Sequence, residues 1–220
     1  EYELKNVVGP DEFHLYIDNN FYTNAMAQWN LEAAARWILK ARHEEPQAYA
    51  DVNRRLQISD DEIACWTDIA SKIRLNIDPE TGIAEQFNGY FKLRDFQVSE
   101  LDENRLPAWP DGVDLRKLHE TQLIKQADVI HAMYLLGDRF DDQTKRANYD
   151  YYLKRTVHRS TLSASTYALM ALSLGEDSEA YQSFMRTIEA DIIDSQGSAG
   201  QGIHIASSAG GWPLFWDSVA

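Results

Sequence analysis

The chain has 220 residues, of which 44% are hydrophobic and 11% aromatic, and a formal net charge of −14, the composition of a folded domain able to bury a core. That acidic balance, with Lys and Arg spread along acid-rich segments, argues against a phosphate-backbone surface, so no nucleic-acid partner is expected. No apolar run reaches the roughly eighteen residues of a membrane span, so no membrane is expected, and a single cysteine excludes a disulfide framework.

Near its start the chain carries Val8-Gly9-Pro10-Asp11-Glu12-Phe13-His14, where Pro10 fixes its own φ and pushes Gly9 out of the helical region. Asp18-Asn19-Asn20 is a second turn and a helix N-cap cluster, so an acid-bearing loop is pinned at both ends. From 21 to 43, Met26, Trp29, Ala33 and Trp37 recur at helical spacing, and Arg36, Lys40 and Arg42 suit the C-terminal end of the dipole. Pro46 opens a shorter helix to about 57. Ser59 and Glu62 then form a capping box for a helix running through Ile63, Trp66, Ile69, Ile73 and Ile77. Cys65 takes an apolar position on that helix beside Trp66 and reads as a buried, inert thiol, in keeping with a reducing, cytoplasmic compartment.

Residues 79–109 carry Thr81-Gly82, Asn88-Gly89, Pro107 and scattered aromatics with no lasting period, which predicts a short helical piece and then a long aromatic loop. A loop of that length in a compact domain is more often functional than idle. Helical periodicity returns over 115–136, 141–154 and 163–174, with Gly175 as a stop, then over 178–193 and, after a glycine-containing loop at 196–202, from 203 to 219. The fold class is therefore all-α, with helical hairpins packed in a ring or solenoid and no fixed-length sequence repeat.

Four stretches hold polar groups out of step with the core pattern. Asp11-Glu12 with His14 is either a solvated acidic turn or a reactive carboxyl, whose pKa would rise if Phe13 and Tyr16 desolvate it. Lys125-Gln126 falls among apolar positions of a helix, so Lys125 either faces the interior of the ring or snorkels outward. His158 to Ser165 supplies more hydroxyls, Ser160, Thr161 and Ser163 among them, than one N-cap needs, and helix N-termini bind oxyanions. Gly197 to Gly211, with His204 and Ser207, has small residues that let a backbone approach another helix or an anion. No paired-ligand spacing supports a metal, and no Gly-x-Ser-x-Gly elbow supports a serine triad.

Together these stretches resemble glycoside hydrolase family 65, the inverting disaccharide phosphorylases and a few related hydrolases. The matching motifs are Asn6 to His14, Asp18-Asn19-Asn20 with Tyr22-Thr23-Asn24, Leu123 to Asp128, Lys145 to Tyr152, Ser160-Thr161-Leu162-Ser163 and Gly202-Ile203-His204, in the family's order. The resemblance implies that Glu12 is the general acid and that Lys125 and Gln126, with His14 beside the acid, contact the sugar. It also implies that Ser160, Thr161, Ser163, His204 and Ser207 lie around phosphate. The implied fold is an (α/α)6 barrel. Residues 1–220 would be the C-terminal portion of it, and the preceding β-sandwich, the early helices and the following small sheet would lie in a longer product or a second polypeptide. The complete enzyme would be a homodimer. Gln201 departs from the family pattern, which usually has an acid before Gly-Ile-His.

An inverting cleavage protonates the leaving oxygen while a nucleophile attacks the opposite face of the anomeric carbon. Water as nucleophile needs a second carboxylate, whereas phosphate needs donors. The hydroxyl and glycine runs offer donors and no carboxylate, so the expected reaction is phosphorolysis of an α-glucosyl disaccharide, with inorganic phosphate as co-substrate and no cofactor. The alternatives are an inverting α-glucoside hydrolase of trehalase type and a non-catalytic barrel piece that needs a second chain.

Overall fold

The computed structural model describes residues 1–103 and 106–217. It is helical, and β-pairing among the described residues is limited to isolated bridges. Helices α1 (Phe21–Glu44), α2 (Pro46–Leu56) and α3 (Asp60–Lys72) come first. After a long irregular stretch come α4 (Asp128–Leu135), α5 (Asp142–Leu153), α6 (Ser163–Ser173), α7 (Asp177–Glu189) and α8 (Ile205–Asp217).

Local chemistry sets the starts of α1, α2, α3 and α5. Asn20 accepts from the Thr23 amide at 2.9 Å, Ser59 from the Glu62 amide at 3.1 Å and Asp141 from the Thr144 amide at 2.7 Å, each satisfying an orphan donor of a first turn. Pro46 takes the first turn of α2, where its missing N–H costs nothing. Helix α6 is buried from Ser163 to Ala171 and packs on α4, α5, α7 and α8, while α1 packs on α2, α3 and α4. Between them Phe21, Tyr90, Ile124, Ile130, Met133, Tyr152, Tyr167 and Met170 close the core.

Several expectations change. Residues 115–136 are not one helix: a 3-10 turn, Leu115–Glu120, leads into extended backbone before α4 begins. Tertiary pairing overrides periodicity there, because Thr121 bridges Arg94 and Ile124 bridges Thr156, both parallel. Helix α3 stops at Lys72, and Ile73 and Ile77 instead bridge Tyr2 and Ala84. The predicted apolar stripe of α1 is only half used: Met26 and Ala33 pack inward, whereas Trp37 is 59% exposed. Cys65 is exposed rather than buried. Helix α7 ends at Glu189, short of 193, and the last helix begins at Ile205; the predicted end at 219 lies outside the described residues.

Glycine decides two close approaches. A Cβ on Gly9 would lie 2.3 Å from Asp128 Oδ2 and one on Gly210 would lie 2.6 Å from Ser165 Oγ. The small residues of the last segment therefore serve helix packing of α8 on α6.

Candidate active site

The acid loop rests on a buried polar network. Asp11 is 1% exposed; its Oδ1 accepts from the amides of Lys125 (2.9 Å) and Phe13 (3.2 Å), and its Oδ2 faces His14 Nδ1 (2.6 Å) and accepts from Gln86 Nε2 (3.1 Å). The Asp11 amide donates to Asp128 Oδ1 at 2.7 Å, and Asn20 Nδ2 donates to Asp128 Oδ2 at 2.7 Å. Burial, and next the charge of Asp11, push the Asp128 carboxyl well above the usual carboxylate range. This network stitches the Gly-Pro loop to the extended segment before α4, which is why Lys125 cannot continue a helix.

Glu12 projects from that base. Its amide donates to Gln126 Oε1 at 3.2 Å and its Oε2 accepts from Gln126 Nε2 at 2.8 Å, a two-point clamp. Lys125 Nζ completes the hold with an ion pair to the same carboxylate oxygen. The Glu12 side chain is 57% exposed, and the hydrogen bonds from Lys125 and then Gln126 keep it below the ordinary glutamate value. The expected rise by desolvation is thus reversed, since donors and a cation outweigh the partial burial. Lys125 neither faces a sealed interior nor snorkels away.

His14 also differs from expectation. It is buried at 2% exposure, with Nδ1 on Asp11 and Nε2 2.9 Å from the Thr121 carbonyl, and its ring lies 4.9 Å from that of Phe87. Both nitrogens are engaged by the protein, so His14 holds the loop rather than a substrate.

The hydroxyl run reaches the same edge of the molecule through backbone pairing. Ile124 N donates to Arg155 O at 2.9 Å and Val157 N to Ile124 O at 3.0 Å. Because the two segments run parallel, Lys125-Gln126 and His158 to Ser160 leave the pairing at the same end. Ser160 and Thr161 remain half-buried at the N-terminus of α6. Ser163 is spent within the protein, 2.9 Å from His158 Nδ1 and donating to Ser160 O, and burial lowers His158 to about 3, leaving it neutral. Ser207 likewise donates to Thr161 O at 2.9 Å and Thr187 O at 3.2 Å, tying α8 to this run. A cavity of about 240 Å³ opens beside Ser160 and Thr161, but its walls are largely apolar, with Leu101, Leu106, Met185 and Ala190.

His204 is gripped twice by Asp191, whose Oδ2 accepts from the His204 amide at 2.7 Å and whose Oδ1 lies 2.6 Å from Nδ1. The bonds to His204 hold Asp191 below the usual carboxylate value. The segment therefore does bring a carboxylate, from thirteen residues upstream, which sequence spacing gave no reason to pair with His204. The buried partners Asn20, Gln86 and Asp128 were also missed, although Asn20 and Asp128 stand inside the quoted motifs. Among the described residues no cluster of His, Cys, Asp or Glu could hold a metal, and no helix is long and apolar enough to cross a membrane.

The helices pack on near neighbours in the chain, α1 on α3 and α4 and α6 on α7 and α8, as in part of a helical barrel. A sequence model described as the glycosyl hydrolase family 65 central catalytic domain matches residues 1–213, and the chain belongs to that family. It is 45% identical to a kojibiose phosphorylase of Thermoanaerobacter brockii, over 97% of this chain and 28% of that protein. It is 35% identical to a 1,2-alpha-glucosylglycerol phosphorylase of Bacillus selenitireducens, over 97% of this chain and 28% of that protein. A solved structure described as a candidate kojibiose phosphorylase from the human microbiome superimposes with a TM-score of 0.79 at 27% identity, covering 98% of this chain and 28% of that one. The chain thus spans little more than a quarter of the length of these relatives.

Proposed function

We propose that the protein to which this chain belongs cleaves an α-glucosyl disaccharide by inverting phosphorolysis, giving β-glucose 1-phosphate and a free sugar. The observation that carries the reading is the Glu12 clamp: one exposed carboxyl, fixed at its amide and side chain by Gln126 and paired to Lys125. Glu12 is the acid that protonates the leaving oxygen, Lys125 and Gln126 hold the glucosyl unit, and the half-buried hydroxyls of Thr161 and of Ser160, whose Oγ also accepts from the Leu162 amide at 3.3 Å, receive inorganic phosphate with His204. Phosphate is already an anion and needs donors, which these side chains supply.

The Lys125 ion pair adds a condition. An acid held ionised cannot deliver a proton, so a sugar hydroxyl must draw Lys125 and Gln126 away before Glu12 takes up its proton. Substrate binding and acid activation are then one event. The remainder of the barrel, in the same chain or a second one, completes the sugar site, and the whole enzyme is a homodimer in the cytoplasm.

One observation favours the alternative of inverting hydrolysis. Asp191 orients His204, and a histidine oriented by a carboxylate can activate water. Product analysis on the full-length protein separates the two, using kojibiose, trehalose and maltose with and without inorganic phosphate. Phosphorolysis is supported by strict phosphate dependence and β-glucose 1-phosphate as product; equal turnover in phosphate-free buffer overturns it. Glu12→Gln should abolish either activity.

A further inference from the structure

Trp109, at the end of the long aromatic loop, connects the two halves of the proposed site. Phe13 follows Glu12 directly, and its ring stacks on that of Trp109 with centroids 6.3 Å apart and planes 29° apart. On Trp109 also lies the Arg159 guanidinium, 5.7 Å from the ring centroid, and Arg159 directly precedes Ser160. Arg159 Nη2 donates to Asp102 Oδ2 at 2.8 Å and Pro107 O at 3.4 Å, while its Nε is sealed from solvent with no hydrogen-bond acceptor. The segment before Trp109 folds back on itself, with Asp102 N donating to Leu106 O at 2.7 Å and Ala108 N to Glu100 O at 2.8 Å. Trp109 therefore stands on a braced support, not on a free loop.

We propose that Trp109 is a positioning residue: with Phe13 and Arg159 it is the strut that fixes the acid loop relative to the hydroxyl run beginning at Ser160. This rests on the reading of Glu12 as acid and the Ser160 run as the phosphate side. Inversion needs the two groups on opposite faces of one carbon, and misplacement by about 1 Å costs on the order of a hundredfold in rate. The acid loop is also tied through Asp11 to the Lys125 amide and through the backbone pairing of Ile124 with 155–157, but the direct hold on Glu12, by the side chains of Lys125 and Gln126, must loosen for the acid to work. A strut made of ring and cation contacts leaves the reacting carboxyl free while it keeps the spacing.

The test uses the full-length protein, whichever of kojibiose, trehalose or maltose it turns over, and inorganic phosphate. Trp109→Ala should lower kcat about a hundredfold, with the KM for disaccharide within about twofold, and Trp109→Phe should recover most of the loss. Phe13→Ala with Trp109→Ala should be no worse than Trp109→Ala alone, because both break the same strut. Should Trp109→Ala not fold, Arg159→Lys keeps the charge near Asp102 but loses the planar contact, and an at least tenfold kcat loss at unchanged thermal stability is expected. Unchanged kcat in either variant, or multiplicative losses in the double variant, overturns the strut. If Glu12→Gln is inactive while Trp109→Ala is normal, only the strut falls; if Glu12→Gln is active, the functional reading falls first.

Discussion

The backbone amide of Asp11 donates to the buried carboxylate of Asp128 at 2.7 Å, joining two acids that lie 117 residues apart in the chain. The link locks the Gly-Pro turn onto the start of α4, one residue before Glu12. The arrangement costs electrostatic energy, since burial and the Asp11 charge both oppose ionisation of Asp128.

Asp128 accordingly makes stability pH-dependent. Its folded-state pKa lies above the unfolded one, so the folded state holds a proton that the unfolded chain has released, and its contribution is lost as pH rises from about 4. Asp128→Asn removes this dependence, but it turns an amide nitrogen toward either the Asp11 amide or Asn20, at a cost of about 1–3 kcal/mol. Thermal melts of the full-length protein at several pH values should show the variant less stable at low pH and the gap narrowing as pH rises. A gap that widens with pH would contradict the assignment.

Lys125→Met tests the clamp. Removing the ion pair lets the Glu12 pKa rise toward its ordinary value, since the Lys125 bond is the largest influence lowering it. A general acid works protonated, so the alkaline limb of kcat/KM against pH should move upward while its maximum falls through loss of sugar contact. A limb that moves down, or stays fixed, would count against Glu12 as the group titrating there.

Much of this was readable in the sequence, for reasons particular residues make plain. Ser59, Asn20 and Asp141 cap helices through bonds spanning three residues, so local chemistry predicts those starts. The acid loop was visible because Pro10 and the Asp18-Asn19-Asn20 turn bracket it. Lys125 was misplaced into a helix because its amide goes to Asp11 Oδ1 and its neighbour Ile124 pairs with the 155–157 segment, contacts that span many residues and leave no periodic mark. Trp109 on Phe13 and Asp191 on His204 are hidden for the same reason.

Asp191→Asn probes the phosphate side. Asn keeps an oxygen for one His204 bond but loses the charge and the second acceptor, so His204 should no longer be held in one orientation. The KM for inorganic phosphate should rise about tenfold, the scale of one charge-assisted hydrogen bond, with the KM for disaccharide unchanged. An effect confined to the disaccharide would place His204 on the sugar side instead.

Gly9→Ala asks how much the acid depends on the buried base beneath it. The added Cβ would lie 2.3 Å from Asp128 Oδ2 and 2.5 Å from Asn20 Nδ2, and both side chains are fully buried and bonded to each other, so neither can swing aside. Overpacking of this kind costs about 1–3 kcal/mol. The displaced Asp128 also supports the Asp11 amide, one residue before Glu12. The variant should therefore lose both thermal stability and kcat. Gly210→Ala, where the new Cβ would meet Ser165 Oγ at 2.6 Å, should also lose stability. Its damage starts at the α6–α8 contact, on the phosphate side, so it should raise the KM for phosphate before it lowers the protonation-dependent step. Stability loss of similar size in both variants, with kcat falling only in Gly9→Ala, is the result expected if the Asp128 base serves the acid; equal kcat in the two would mean that the Asp128 base does not place Glu12.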